Sequence, residues 1–174
     1  MPHLHVCSLA RLGDTVATSG ASHVATLINA GTPVVRPASI PAANHLFLGF
    51  NDIVEPTAGL IPVGEAEILR LFDFVDGWDG AHPMVVHCWA GISRSTAGAF
   101  VTACRLMPER DEADIAHELR RKSPSATPNL RIVRIADALM GREGRMVAAI
   151  EAIGRGRDAY EGEPFVLAIE RGAA

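Results

Sequence analysis

Cysteine is scarce in this chain: 3 among 174 residues, at Cys7, Cys88 and Cys104. An odd, sparse set does not build a disulfide scaffold. The start, Met1-Pro2-His3-Leu4-His5, also lacks the basic end and apolar stretch of a secretory signal. Free thiols in a reducing cytoplasm are therefore expected. No apolar run approaches the ~20 residues of a membrane helix. The mean hydropathy of +0.18 instead reflects Ala, Leu, Ile and Val spread through an ordinary core. An excess of positive charge is missing too. The formal net charge is -4, which disfavours a globally basic nucleic-acid or membrane-surface binder but leaves room for a local basic pocket. There is no internal repeat, linker or low-complexity block. With 48% hydrophobic and 21% charged residues, disorder is excluded, and the length suits a single domain over 1–174.

Residues 3–9 alternate and read as a strand, 11–20 as a short helix, and 23–30 as a buried strand closed by Gly31. Pro33, Pro37 and Pro41 make 32–44 a loop, His45 to Phe50 is a third strand, and Pro56, Gly59 and Pro62 mark 51–62 as loop. Ile68, Phe72, Val75 and Trp78 fall at helical spacing over 63–78. Met84 to His87 is a short continuous apolar strand. Helices are predicted from Ser93 to Met107, Asp111 to Lys122, a Thr127-Pro128 cap to Met140, and Glu143 to Ile153. Residues 164–170 read as an extended tail packed on the body. Strands alternating with helices, then a helical C-terminal half, predict an α/β fold: a central, mostly parallel sheet of four to five strands flanked by helices.

The segment with chemistry in it is Val86-His87-Cys88-Trp89-Ala90-Gly91-Ile92-Ser93-Arg94-Ser95. Its core is Cys, five residues, Arg. That spacing recurs at Cys104 and Arg110, but there it crosses a helix end and Pro108 with no glycine and no preceding strand. At Cys88 the pattern follows a buried strand, turns at Gly91 and opens a helix. Such a turn aims several N–H groups and the positive end of a helix dipole at one point, where an anion is held mainly by backbone. Arg94 can add a planar clamp on two oxygens. Cys88 sits in the same field, placed to react as a nucleophile.

His87-Cys88-x5-Arg94-Ser95, with Gly91 in the middle, resembles the phosphate-binding loop of the cysteine-dependent protein tyrosine phosphatases. The fuller string is similar to that of the dual-specificity branch. The resemblance covers about residues 45–140, taken as the catalytic core. It implies that Cys88 attacks phosphorus, Arg94 binds the phosphoryl oxygens, Ser95 assists breakdown of the phosphocysteine, and His87 helps to fix the loop. The backbone of Trp89, Ala90, Gly91, Ile92 and Ser93 would be the cradle. Neither metal nor cofactor is implied. The family also uses an Asp general acid on a loop roughly 30–40 residues before the Cys, without which the rate falls roughly 10²–10⁴-fold. Asp52 lies 36 positions before Cys88, just past the strand at 45–50. Glu55 is the reserve candidate, and Asp73 and Asp76 belong to the following helix. Pro128-Asn129 resembles the pair that opens a late helix in dual-specificity phosphatases, its Asn supporting the loop.

The expected activity is phosphomonoester hydrolysis on a phosphorylated protein or a small phosphate ester, with no nucleic-acid or membrane partner. Trp89, Ala90 and Ile92 put no lysine in the loop, which favours phosphoprotein over a highly charged inositol phosphate. A catalytically weak phosphate-binding module and a small-molecule or inositol phosphate phosphatase of the same fold stay open as alternatives. Cys7 and Cys104 read as core thiols.

Overall fold

Burial on both faces puts Met84–Cys88 at the middle of the sheet. Every residue of that strand is buried, as a parallel strand covered by helices must be. The computed structural model describes residues 2–170. Over these, the elements run β1 (His3–Ser8), α1 (Leu12–Ser19), β2 (His23–Ile28), β3 (His45–Gly49), α2 (Glu65–Asp76), β4 (Met84–Cys88), α3 (Arg94–Leu106), α4 (Glu112–Lys122), α5 (Leu130–Leu139), α6 (Arg145–Ile153) and β5 (Phe165–Ala168). The strand order is β3-β2-β4-β1-β5. β1 and β2 flank β4 in parallel, with Ser8 opposite Cys88 and Thr26 opposite His87, and β3 pairs parallel to β2.

The sheet separates two apolar clusters. On one face α1 packs Leu12 and Val16 against Cys7, Val24, Ile40 and Val85. On the other face lie α2 to α6, with Val86, Leu27, Phe100, Ile115 and Ile132 in one continuous core. α3 runs through that core. All its residues from Arg94 to Cys104 are buried, so the helix that begins at the loop is held on every side.

Two expectations change. The tail at 164–170 is a strand: β5 pairs antiparallel to β1, with Leu167 opposite Leu4. Phe165 and Leu167 alternate inward, and their pairing covers an edge that β1 would otherwise leave open. The late helix is capped by Asn129, whose side chain accepts from the N–H groups of Arg131 and Ile132. Thr127 is engaged elsewhere: its N–H donates to Ile92 O at 2.9 Å and its Oγ1 accepts from Gly156 N–H at 3.1 Å.

Candidate active site

Residues 89–93 turn the chain from the end of β4 into α3. Gly91 makes the turn, at φ +72° with no room for a side chain: a Cβ there would lie 2.8 Å from Ser8 N and 2.9 Å from Cys7 C. The loop's carbonyls are tethered from outside. Trp89 O accepts from Leu9 N–H at 3.2 Å, Ala90 O from Gly162 N–H at 2.8 Å, Ile92 O from Thr127 N–H at 2.9 Å, and Ser93 O from Asn129 N–H at 3.2 Å. Each segment that reaches in pulls a C=O outward and so turns the attached peptides' N–H groups the other way. Among the described residues, the N–H groups of Ala90, Ile92 and Ser93 have no partner within the protein. That is a backbone nest of the kind that binds anions.

Cys88 lies at its base, 3% exposed. Its Sγ is 3.1 Å from Ser95 Oγ and 3.3 Å from Gly91 N. The Arg94 fork is half used. Nη1 donates to Asn29 Oδ1 and Phe50 O, each at 2.7 Å, while Nε is buried without a partner among the described residues. A buried guanidinium N–H left unpaired is costly unless an acceptor completes it, and anchoring one edge of the fork presents the other edge in a fixed plane.

His87 is fully buried. Its Nε2 is 2.7 Å from Thr26 Oγ1, which is 2.8 Å from His45 Nε2. The hydroxyl has a single proton, so it donates to one imidazole and must accept from the other. The chain of bonds therefore has one polarity. Burial pushes His87 down to about 4, so at neutral pH the ring is uncharged and acts as a fixed support of the loop's root.

Asp52 follows β3 at the same edge of the sheet. Its Oδ1 accepts from Ser93 Oγ at 2.8 Å and from Asn129 Nδ2 at 2.7 Å. Thus strand ends 36 positions apart in sequence meet, as a parallel sheet dictates. The loop that carries Asp52 is closed by Asn51, whose N–H donates to Ile61 O at 2.7 Å and whose Oδ1 accepts from Ile61 N–H at 2.8 Å. Glu55 points elsewhere, exposed and 3.3 Å from Arg134, and Asp76, the last residue of α2, is held by Arg105. Between Asp52, Ile53, Leu60, Trp89, Asn29 and Arg94 opens a cleft of about 480 Å³, in whose lining Arg94 is the sole cation among the described residues. Cys88 is not among its lining residues; it sits beneath, at the root of the loop.

The protein-tyrosine phosphatase family model matches residues 57–130, a span that holds Cys88, Arg94 and Asn129 and stops short of Asp52. Solved structures agree in fold. The Cydia pomonella PTP-2 phosphatase superposes with a TM-score of 0.61 at 18% identity, over 78% of this chain and 84% of that one. Human DUSP28 gives 0.60 at 16%, over 80% and 94%. PTPMT1, solved in complex with PI(5)P, gives 0.58 at 13%, over 80% and 94%. Over residues 57–130 the chain is similar to the protein-tyrosine phosphatases, and its fold is that of the dual-specificity phosphatase structures. No curated protein matches the sequence.

Within this phosphatase-like frame the structure gathers Cys88, Arg94, Ser95, His87 and Asp52 around one loop, along with every cradle residue from Trp89 to Ser93. Ser93 contributes more than backbone, since its hydroxyl reaches Asp52. Sequence reasoning missed Asn29, which anchors Arg94. Its signal was its place at the end of a strand, at the same edge as the nucleophile. It also missed Gly162, which lies outside any motif.

Proposed function

We propose that this chain is a phosphoric monoester hydrolase that works through a phosphocysteine. Cys88 attacks phosphorus as its thiolate, the loop N–H groups and Arg94 hold the equatorial oxygens, and Asp52 protonates the leaving oxygen. Water then attacks the phosphocysteine, with Asp52 taking its proton and Ser95 Oγ–H donating to the departing sulfur. The observation that carries this reading is the unpaired Nε of Arg94 beside a nest in which the carbonyls of Trp89, Ala90, Ile92 and Ser93 are drawn outward. Both want a group with several oxygens, and a phosphoryl group offers three.

The cleft favours a single phosphate on an apolar carrier. Arg94 is alone as cation in the lining, while Trp89, Leu60, Ile53 and Ile28 supply apolar wall. A polyphosphorylated headgroup would find no second cation there. Phosphotyrosine in a protein fits better, with tyrosine-only or dual specificity decided by how deep the phosphate must enter. The direct test is hydrolysis of an aryl phosphate in the presence of chelator. Turnover should be blocked by vanadate and abolished in Cys88→Ser; undiminished turnover in that variant sinks the mechanism. Phosphotyrosine and phosphoserine peptides compared side by side then read the pocket depth.

A second reading, a module that captures phosphorylated partners, needs Arg94 and the N–H groups but no acid. The ties from Ser93 and Asn129 to Asp52 favour the enzyme. If Asp52→Ala leaves turnover of a poor leaving group unchanged, that advantage disappears.

A further inference from the structure

The phosphate loop is braced by a segment far from it in sequence and outside the matched span. After α6, residues 155–164 cross the molecule before entering β5. Gly162 N–H donates to Ala90 O at 2.8 Å, and a Cβ at 162 would lie 2.6 Å from Gly91 O and 3.2 Å from Gly91 C. Any side chain there would push on the peptide that makes the loop's turn. Next door, the Glu161 carboxylate accepts from Ser8 Oγ–H, and Ser8 is the register partner of Cys88. The segment is itself pinned. Gly156 N–H donates to Thr127 Oγ1 at 3.1 Å, and Arg157 N–H to Pro124 O at 2.8 Å. Arg120 ties Gly154 O at 2.6 Å to Ala126 O at 2.7 Å. Of the four outside tethers on the loop carbonyls, one comes from Gly162 directly and a second from Thr127, which the segment holds by its side chain.

We propose that residues 155–164 are a working strap of the phosphate cradle, with Gly162 as a positioning residue: its N–H holds the Ala90–Gly91 peptide, whose own N–H meets Cys88 Sγ, and its bare Cα leaves room for the Gly91–Ile92 peptide, whose N–H faces the incoming anion. The proposal rests on the reading of the Cys88 loop as a phosphate site. A backbone nest acts through fixed dipoles, so a peptide free to tilt weakens oxyanion binding without touching substrate.

The test uses the full chain and two alkylating reagents of similar size, iodoacetate and iodoacetamide, at Cys88. An intact cradle draws the anionic reagent, so wild type should react faster with iodoacetate. In Gly162→Ala that ratio should fall by about tenfold and KM for an aryl phosphate should rise more than kcat falls, with a lowered melting temperature because the new Cβ meets the Gly91 backbone. Glu161→Ala removes a clasp without a clash and should lower the ratio about threefold by the same loosening; Glu163→Ala, exposed on the same strap, should not change it. Should Gly162→Ala fail to fold, Glu161→Ala decides alone. A wild-type ratio in the folded strap variants overturns the proposal. A wild type indifferent to the charge of the reagent overturns the cradle reading itself, and the strap with it.

Discussion

Burial pushes the Cys7 thiol up to about 11 and the Cys104 thiol up to about 12, so both stay protonated at neutral pH and behave as small apolar side chains. Cys7 packs with the α1 cluster, whereas Cys88 turns to Ser95 on α3. The two leave opposite faces of the sheet, which offers no direct route to a disulfide between them. The residue beside Cys88 sets a pH dependence. His87 falls from 6.5 to about 4 on folding, chiefly through burial. Above pH 6.5 the imidazole is neutral in both states. Between 6.5 and about 4 the unfolded chain takes up a proton that the folded chain refuses. Stability is therefore lost as pH falls through that window, by about 3 kcal/mol from this residue. His5, His23 and His45 are lowered as well, each first by burial, so a residual slope belongs to them. His87→Asn should flatten the dependence of unfolding free energy on pH across the window, measured by denaturant titration at several pH values. An unchanged slope would show that His87 is protonated in the folded chain.

Between elements, one residue ties three segments together. Asn129 caps α5 with Oδ1, at 3.0 and 3.1 Å from the N–H groups of Arg131 and Ile132. It holds Asp52 and Ile53 O with Nδ2, and its own N–H tethers Ser93 O. Asn129→Asp separates these duties. The carboxylate still accepts as a cap but turns an acceptor toward Asp52, so the Asp52 loop loses its anchor while the helix keeps its own. The expected result is a kcat about 10- to 100-fold lower on phenyl phosphate, whose leaving group needs a proton, and a smaller loss on p-nitrophenyl phosphate, whose leaving group does not. Equal losses on both would mean that Asn129 works through the phosphate loop alone. This element also marks where sequence stops being legible. Strands and helices were readable because burial imposes periods of 2 and 3.6, the Cys88–Arg94 loop because strand, glycine and helix around it form an anion cradle, and Asp52 only through the resemblance to the phosphatase family. The cap was misplaced by two residues because Thr127-Pro128 carries the local signature, yet Thr127 is claimed by Ile92 and Gly156. The strap was not readable at all. It holds the loop mainly through backbone groups, and a glycine's N–H leaves no signature in composition or period.

The whole molecule decides how much chain the site requires. A motif-bearing span of 45–140 contains Cys88, Arg94, Asp52 and the Asn129 cap, and the family match is shorter still at 57–130. Yet in the sheet order β3-β2-β4-β1-β5, that span supplies only β3 and β4, which are not neighbours. β2 lies between them, and β1 covers the other side of β4. Removing residues 1–44 strips both ladders from the strand that carries Cys88. It also takes away Asn29, which anchors Arg94, and Thr26, which holds His87. Met84–Cys88, buried throughout, would then show two unpaired edges and an apolar face to water, a surface that aggregates rather than folds. The C-terminal side matters in the same way, since β5 closes the β1 edge and Gly162 reaches the loop. The fragment 45–140 should therefore give no cooperative thermal transition by far-ultraviolet circular dichroism and no turnover of an aryl phosphate, whereas the full chain should melt in one transition. A cooperative melt of the fragment would show that β3 and β4 can pair without β2, and the account of the site as the product of the complete sheet would fall.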